Sequence, residues 1–119
     1  MQHLSQQIRT NGGFTADQNF NAPTSGYMVS LAGTEVQFKT FPSMSDEQLQ
    51  RECQEYFDGI DWSRDDIYFG AWVHNNVLFF DNSINIKHLD VAMAFGRANN
   101  QIAIWDIAEG KEIRLTDES

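Results

Sequence analysis

The sequence has little cysteine, little proline and few basic residues. Cys53 is its only cysteine, which excludes an intramolecular disulfide framework, and no cluster of Cys and His residues predicts a structural zinc site. No apolar run approaches the roughly 20 residues of a membrane-spanning helix, and the polar residues 1–11 lack the apolar core of a signal peptide. These absences predict a cytoplasmic protein with no membrane partner, no metal and no cofactor.

The chain is strongly acidic, with 17 acidic and 8 basic side chains among 119 residues and a formal net charge of −9. Like charges repel, so we expect no direct contact with nucleic-acid phosphates or anionic membranes. Nine Phe, three Trp and three Tyr argue against disorder. The length suits one domain with one hydrophobic core.

The strongest local signal is a helix over Asp46–Asp58. Ser45 is a typical N-cap, and Gln48 at the third helical position completes a capping box. Four apolar residues follow a helical spacing of i, i+4, i+7 and i+8. They are Leu49, Cys53, Tyr56 and Phe57.

The remaining pattern predicts short strands, hairpin turns and a second helix at Leu89–Ala98. The fold class is therefore α+β, a two-layer antiparallel sheet of about six to eight strands with two helices. We expect residues 1–12 to be a polar N-terminal segment with at most a short strand, and residues 13–119 to form the single α+β domain. The expected core comprises Leu49, Phe57, Phe69, Trp72, Phe79, Met93, Ile102 and Ile104.

Four motifs occur in a fixed order along the chain. They are Gly26–Leu31 (GYMVSL), Gly70–Val73 (GAWV), Phe80–Ser83 (FDNS) and Gln101–Asp106 (QIAIWD). Together they resemble a group of small uncharacterised bacterial proteins carried on phages and other mobile elements. The resemblance covers roughly residues 13–114 and implies an accessory gene, one acting against host defence. It contains no catalytic signature, so it assigns no functional residue.

Signals for catalysis are weak. Cys53 lies on the apolar stripe of the first predicted helix, where an inert buried thiol is expected. Asp81-Asn82-Ser83 is expected to end a strand and turn the chain through bonds from side chain to backbone. We therefore expect no enzyme. The alternative is a small hydrolase or transferase built around Asp81, Ser83 and His88, because catalytic groups can assemble through space.

Negative charge is concentrated between Asp46 and Asp66, where eight acids are accompanied only by Arg51 and Arg64. Arg51 is four residues from both Glu47 and Glu55 and should partly offset them. The segment is either a solvated helix face or a surface that offers carboxylates to a basic groove. Trp62 either anchors that interface or folds over the end of the helix. The predicted partner-binding residues are Glu47, Glu52, Glu55, Asp58, Asp61, Trp62, Asp65 and Asp66.

The first functional hypothesis is a non-enzymatic protein-binding module. Its partner would be a basic protein surface, such as a nucleic-acid-binding effector of host defence, inhibited in the manner of an anti-CRISPR or anti-restriction protein. The enzyme alternative belongs to a different class. A third hypothesis is a homodimeric structural module that associates through the apolar strands between Ile67 and Phe80.

Overall fold

The computed structural model describes residues 1–115, which form three helices and one seven-stranded antiparallel sheet. The helices are α1 (Gln2–Asn11), α2 (Asp46–Asp58) and α3 (Leu89–Ala98), with a short 3-10 turn at Phe41–Ser43. The strands are β1 (Gly13–Ala16), β2 (Tyr27–Ser30), β3 (Val36–Phe38), β4 (Ile67–His74), β5 (Val77–Ile86), β6 (Ala103–Asp106) and β7 (Lys111–Arg114). The α+β prediction is confirmed, with three helices rather than two.

The β4–β5 hairpin forms the centre of the sheet, whose strand order is β1-β4-β5-β2-β6-β7. Its turn residues Asn75 and Asn76 both have positive φ, 51° and 65°, as a two-residue hairpin turn requires. Strands β2 and β3 both pair with β5, at successive stretches of its length. Thr34 bridges the gap between them, since its Oγ1 accepts a hydrogen bond from the backbone N–H of Asn82 at 3.1 Å.

The N-terminal segment is a helix, so the short strand expected within residues 1–12 was wrong. Leu4 and Ile8 lie one turn apart on α1 and are only 1% and 2% exposed. Gly12 ends the helix in the left-handed conformation, with φ of 81°, a frequent C-terminal cap. Two apolar residues among polar ones are a weak helical signal, and it is the packing of this pair into the core that stabilises α1.

Helix α2 has the bounds that its sequence predicts. Ser45 Oγ accepts a hydrogen bond from the Gln48 backbone N–H at 3.1 Å, and Leu49 and Cys53 are fully buried. Burial raises the pKa of the Cys53 thiol to about 12, so the thiol stays protonated and unreactive near neutral pH. In the part of the chain that the structure describes, no helix has both the length and the apolar character needed to cross a bilayer.

All three helices pack on one face of the sheet, the face that carries Val29, Phe69, Phe80 and Ile104. The opposite face, here called the open face, has no helix over it within residues 1–115. The pairing of the strands assigns residues of β1, β2, β4, β5 and β6 to this face. They include Thr15, Met28, Ser30, Tyr68, Gly70, Trp72, Phe79, Asp81, Ser83, Asn85 and Trp105, and the pairing of β3 and β7 adds Gln37, Glu112 and Arg114.

The predicted core is partly confirmed. Leu49, Phe69 and Ile104 are buried, but Trp72 and Ile102 are 40% and 58% exposed. Trp72 lies on the open face, and Ile102 precedes the first residue of β6. The other three expected members are only half-buried, namely Phe57, Phe79 and Met93.

Strand β5 is longer than predicted, because Asp81-Asn82-Ser83 lies in its middle and does not turn the chain. The side chains of Asp81 and Ser83 are tolerated there because they make hydrogen bonds within the sheet, whereas Asn82 Oδ1 is buried without a partner among the described residues. Ser30 Oγ donates to Asp81 Oδ2 at 2.7 Å, and Ser83 Oγ donates to Asp81 Oδ1 at 3.2 Å.

Candidate functional site

Most of the predicted partner-binding residues lie along the outer side of α2 and in the link that follows it, whereas Glu52 is only partly exposed. Glu47, Glu55 and Asp58 are exposed and lie on the side of the helix opposite Leu49 and Cys53. We call the seven acids among the predicted residues the acidic surface. They are Glu47, Glu52, Glu55, Asp58, Asp61, Asp65 and Asp66.

The carboxylates on α2 are not neutralised by their own helix. Within residues 1–115, Arg51 forms no ion pair with Glu47 or Glu55, although the i, i+4 spacing allows one. Within the described residues, Asp58 accepts a hydrogen bond only from the uncharged Gln54 amide, at 2.8 Å. The outer side of α2 therefore presents carboxylates to solvent with no fixed cation from residues 1–115.

The link after α2, unlike the outer side of the helix, fixes two of its acids through contacts with Ser63 and Arg64. Hydrogen bonds from Ser63 lower the pKa of Asp61, whose Oδ1 accepts the Ser63 backbone N–H at 3.0 Å. Arg64 donates to both carboxylate oxygens of Asp66, at 2.9 and 2.6 Å. Asp66 is thus paired within the link, and Asp65 beside it stays exposed.

Trp62 is held by the end of α2. Its Nε1–H donates to the backbone carbonyl of Phe57 at 3.1 Å, and the two rings are 4.9 Å apart between centroids. This is the second of the two interpretations, an indole that folds over the helix end. The ring remains partly accessible, so contact with a partner stays a prediction.

Asp17 joins the acidic surface in space although it is distant in sequence. Strand β1 pairs with β4 so that Ala16 lies opposite Phe69, which brings Asp17 close to Tyr68. Burial, with the charges of Asp17, Asp65 and Asp66, raises the pKa of Tyr68. No local signal identifies Asp17, because its position depends on the β1–β4 register.

The residues of the enzyme hypothesis come only partly together. Asp81 and Ser83 are hydrogen-bonded on the open face. His88 is the exposed N-cap residue of α3 and has no hydrogen bond to either of them within the described residues. The described residues also contain no group of three or more His, Cys, Asp or Glu side chains placed to hold a metal ion.

Asp81 is a buried carboxyl with no cationic partner in the part of the chain that the structure describes, and it should make stability depend on pH. It is only 6% exposed. Burial raises its pKa above 3.8, and hydrogen bonds from Ser30, Ser83 and Trp72 lower the pKa by a smaller amount. As pH rises above 3.8, the unfolded carboxyl loses its proton while the folded one retains it. The folded state therefore loses stability until the pH passes the folded pKa.

Asp81→Asn is expected to remove this loss, because an amide keeps the hydrogen-bonding shape without a charge. The variant should be more stable than the wild type at pH 7 and lose that advantage near pH 4, as measured by urea unfolding at both values. Asp61→Asn is the control, and it should lower stability at pH 7, because the pKa of Asp61 is lowered in the folded protein. Equal pH dependence of Asp81→Asn and wild type would contradict the assignment.

Comparison with known proteins gives no relative, since no protein family, no curated protein and no solved structure matches the chain.

Proposed function

We propose that the chain is a non-enzymatic module that binds a basic protein surface through the acidic surface. The observation that carries the proposal is the outer side of α2, where Glu47 and Glu55 are exposed with no ion pair to Arg51 among the described residues. Crowded like charges repel and contribute nothing to folding. A cationic partner would relieve that repulsion.

The rigidity of α2 supports this use of the charges. The helix is capped by Ser45 and anchored by the buried Leu49 and Cys53. Backbone positions of the carboxylates are therefore fixed before a partner arrives, which lowers the entropy lost on binding. Net charge of one sign also accelerates association with an oppositely charged surface.

The chemistry of the partner follows from the chemistry of the surface. Carboxylates spaced along a rigid helix resemble backbone phosphates to a groove lined with Lys and Arg, which makes nucleic-acid-binding proteins suitable partners. With the resemblance to proteins of phages and mobile elements, this favours an inhibitor of a host defence effector, of the anti-CRISPR or anti-restriction type. Carboxylates would occupy the effector's nucleic-acid groove.

The test is a charge reversal on α2. Replacing Glu52, Glu55 and Asp58 by Lys changes the net charge by +6 and should leave the fold intact, because surface ion pairs contribute about 0–1 kcal/mol each. Binding to purified CRISPR nucleases and restriction enzymes is measured by surface plasmon resonance, and inhibition by DNA cleavage. We expect affinity to fall at least about a hundredfold, mainly through slower association.

A matched control places the same charge change elsewhere. Glu35, Glu109 and Glu112 are exposed and lie outside α2 and its link. Their triple Lys variant should retain most of the affinity. If both triple variants bind equally, total charge and not the acidic surface determines binding. Wild-type binding that is insensitive to salt would also contradict the proposal, since screening acts over about 8–10 Å.

A further inference from the structure

Tyr68 lies where the open face adjoins the acidic surface. It belongs to β4, two positions after Asp66, and side chains two positions apart lie on the same face of a strand. The backbone N–H of Asn85 donates to the carbonyl of Asp66 at 3.0 Å, so the strand pairing extends to this acid. The Tyr68 ring is half-buried and lies on the side of the sheet opposite the helices. A partner of the acidic surface can therefore reach an aromatic side chain.

Asp17 is held beside Tyr68 by the strand register and by its own loop. The pairing of β1 with β4 continues to Ala16, so the next residue lies at the edge of the sheet opposite Tyr68. Asp17 Oδ1 accepts hydrogen bonds from the backbone N–H groups of Asn19 and Asn21, at 2.8 and 2.9 Å. These contacts fix a carboxylate at the border of the open face.

Negative charge exceeds positive charge around the Tyr68 ring. Burial, and then the charges of Asp17, Asp65 and Asp66, raise the pKa of Tyr68, so all three carboxylates act on this side chain. Arg64 pairs with Asp66, but Asp17 and Asp65 form no ion pair within the described residues. The face of an aromatic ring also attracts positive charge. The ring and the two uncompensated carboxylates therefore complement a cation.

Arginine fits this position better than lysine. A guanidinium group is planar and stacks on aromatic rings, whereas an ammonium group is a compact and strongly hydrated charge. A guanidinium that stacks on the ring directs its N–H groups outward in the plane, where they can donate to carboxylates at the edge of the ring. The positions of Asp17 and Asp65 beside Tyr68 therefore indicate an arginine side chain.

We propose that the open face at Tyr68 binds an arginine side chain of the basic partner. The guanidinium stacks on the ring, beside the carboxylates of Asp17 and Asp65. Charge complementarity selects a cationic occupant, and the aromatic ring selects arginine among cations. The inference rests on the function proposed for the acidic surface, and it extends the contact from α2 and its link to the edge of the sheet formed by β1.

Isothermal titration calorimetry of the full chain with hexa-arginine and with hexa-lysine tests the proposal. The wild type should bind hexa-arginine more tightly. Tyr68→Leu should lower the ratio of the two affinities about two- to fivefold, the factor expected of one exposed contact between a cation and a ring. Tyr68→Phe keeps the ring and should retain the wild-type ratio. Trp105→Leu is the control and should also retain it, since Trp105 is 45% exposed on the same face but three strands away from β4.

Asp17→Asn tests the carboxylate at the edge of the sheet. Asn keeps a side-chain oxygen that can accept the N–H groups of Asn19 and Asn21, so the loop should persist. Affinity for hexa-arginine should fall about two- to fivefold. Asp90→Asn is the matched control, because Asp90 is exposed at the start of α3 and its Oδ1 also accepts a backbone N–H, that of Val91, at 3.0 Å. Equal losses in the two variants would show that only net charge matters and would overturn the site.

The charge reversal on α2 separates failure of this inference from failure of the proposed function. Replacing Glu52, Glu55 and Asp58 by Lys should weaken binding of both peptides and leave the ratio of their affinities unchanged. If the reversal weakens binding but Tyr68→Leu or Trp105→Leu gives the wrong ratio, the arginine site alone is overturned. Binding that the reversal does not weaken would contradict the proposed function, and a wild type that binds neither peptide would overturn both. Circular dichroism checks the fold of each variant, and Asp17→Asn decides the question if Tyr68→Leu does not fold.

Discussion

Phe69→Ala is expected to lower the free energy of unfolding by about 3–5 kcal/mol, a large part of the 5–15 kcal/mol of a typical domain. Phe69 is fully buried, and its ring lies 4.8 to 5.0 Å from those of Phe14, Tyr56 and Phe80. These three residues belong to β1, α2 and β5. Truncation therefore opens a cavity where the helix layer meets the sheet. Urea unfolding followed by fluorescence measures the loss.

Phe20→Ala is the matched control, since it removes the same atoms from a site 46% exposed. Phe20 has a positive φ of 66°, but both Phe and Ala carry a Cβ, so the backbone strain is unchanged. Its stacking on Phe57, at 5.2 Å, should be worth about 1 kcal/mol. Equal losses in the two variants would show that Phe69 is not the centre of the core.

The parts of the fold that local signals specify were predictable from the sequence. The capping residue Ser45 and the apolar spacing of Leu49 and Cys53 predict α2 with its observed bounds. By contrast, Asp81-Asn82-Ser83 has the composition of a turn but continues β5. The hydroxyl of Ser30, 51 residues away, helps to satisfy Asp81, and no local pattern can contain that contact.

Burial was harder to predict than secondary structure. Trp72 and Phe69 belong to the same apolar strand, yet one is 40% exposed and the other fully buried. Side chains alternate between the two faces of a strand, and the sequence does not state which face the helices will cover. That choice follows from the connections among strands. An apolar strand therefore indicates a sheet centre without showing that both faces are buried.

On α2, a helical wheel was sufficient to predict which acids of the acidic surface are exposed, because the helix itself was predicted. Glu47 and Glu55 are exposed as expected, because their positions relative to Leu49 follow from 3.6 residues per turn. The ion pairs expected of Arg51 are absent from the described residues, since a spacing permits a contact without enforcing it. Asp17 was missed because it joins the surface only through strand pairing.

Gly13→Ala is expected to lower the free energy of unfolding by about 3 kcal/mol, combining backbone strain with overpacking. Gly13 has a φ of +156°, and a Cβ there would overlap the carbonyl oxygen of Ala71 and lie 3.0 Å from Trp72 Cα. Both atoms belong to the backbone of β4, which cannot move without disturbing the central hairpin. Because α1 ends immediately before the Gly12–Gly13 pair, displacement of β1 would also disturb the packing of Leu4 and Ile8.

Gly33→Ala separates the two contributions. Gly33 also has a positive φ, +79°, but no atom lies within 4 Å of its Cβ position, so this variant should lose only about 1 kcal/mol through backbone strain. Thermal unfolding of both variants, together with amide hydrogen exchange of α1, measures the difference. If the two losses were equal, the close approach of β1 to Ala71 would contribute nothing. A larger loss at Gly13, with faster exchange in α1, would show that the backbone of Gly13, through its φ and its close approach to Ala71, positions the N-terminal helix on the sheet.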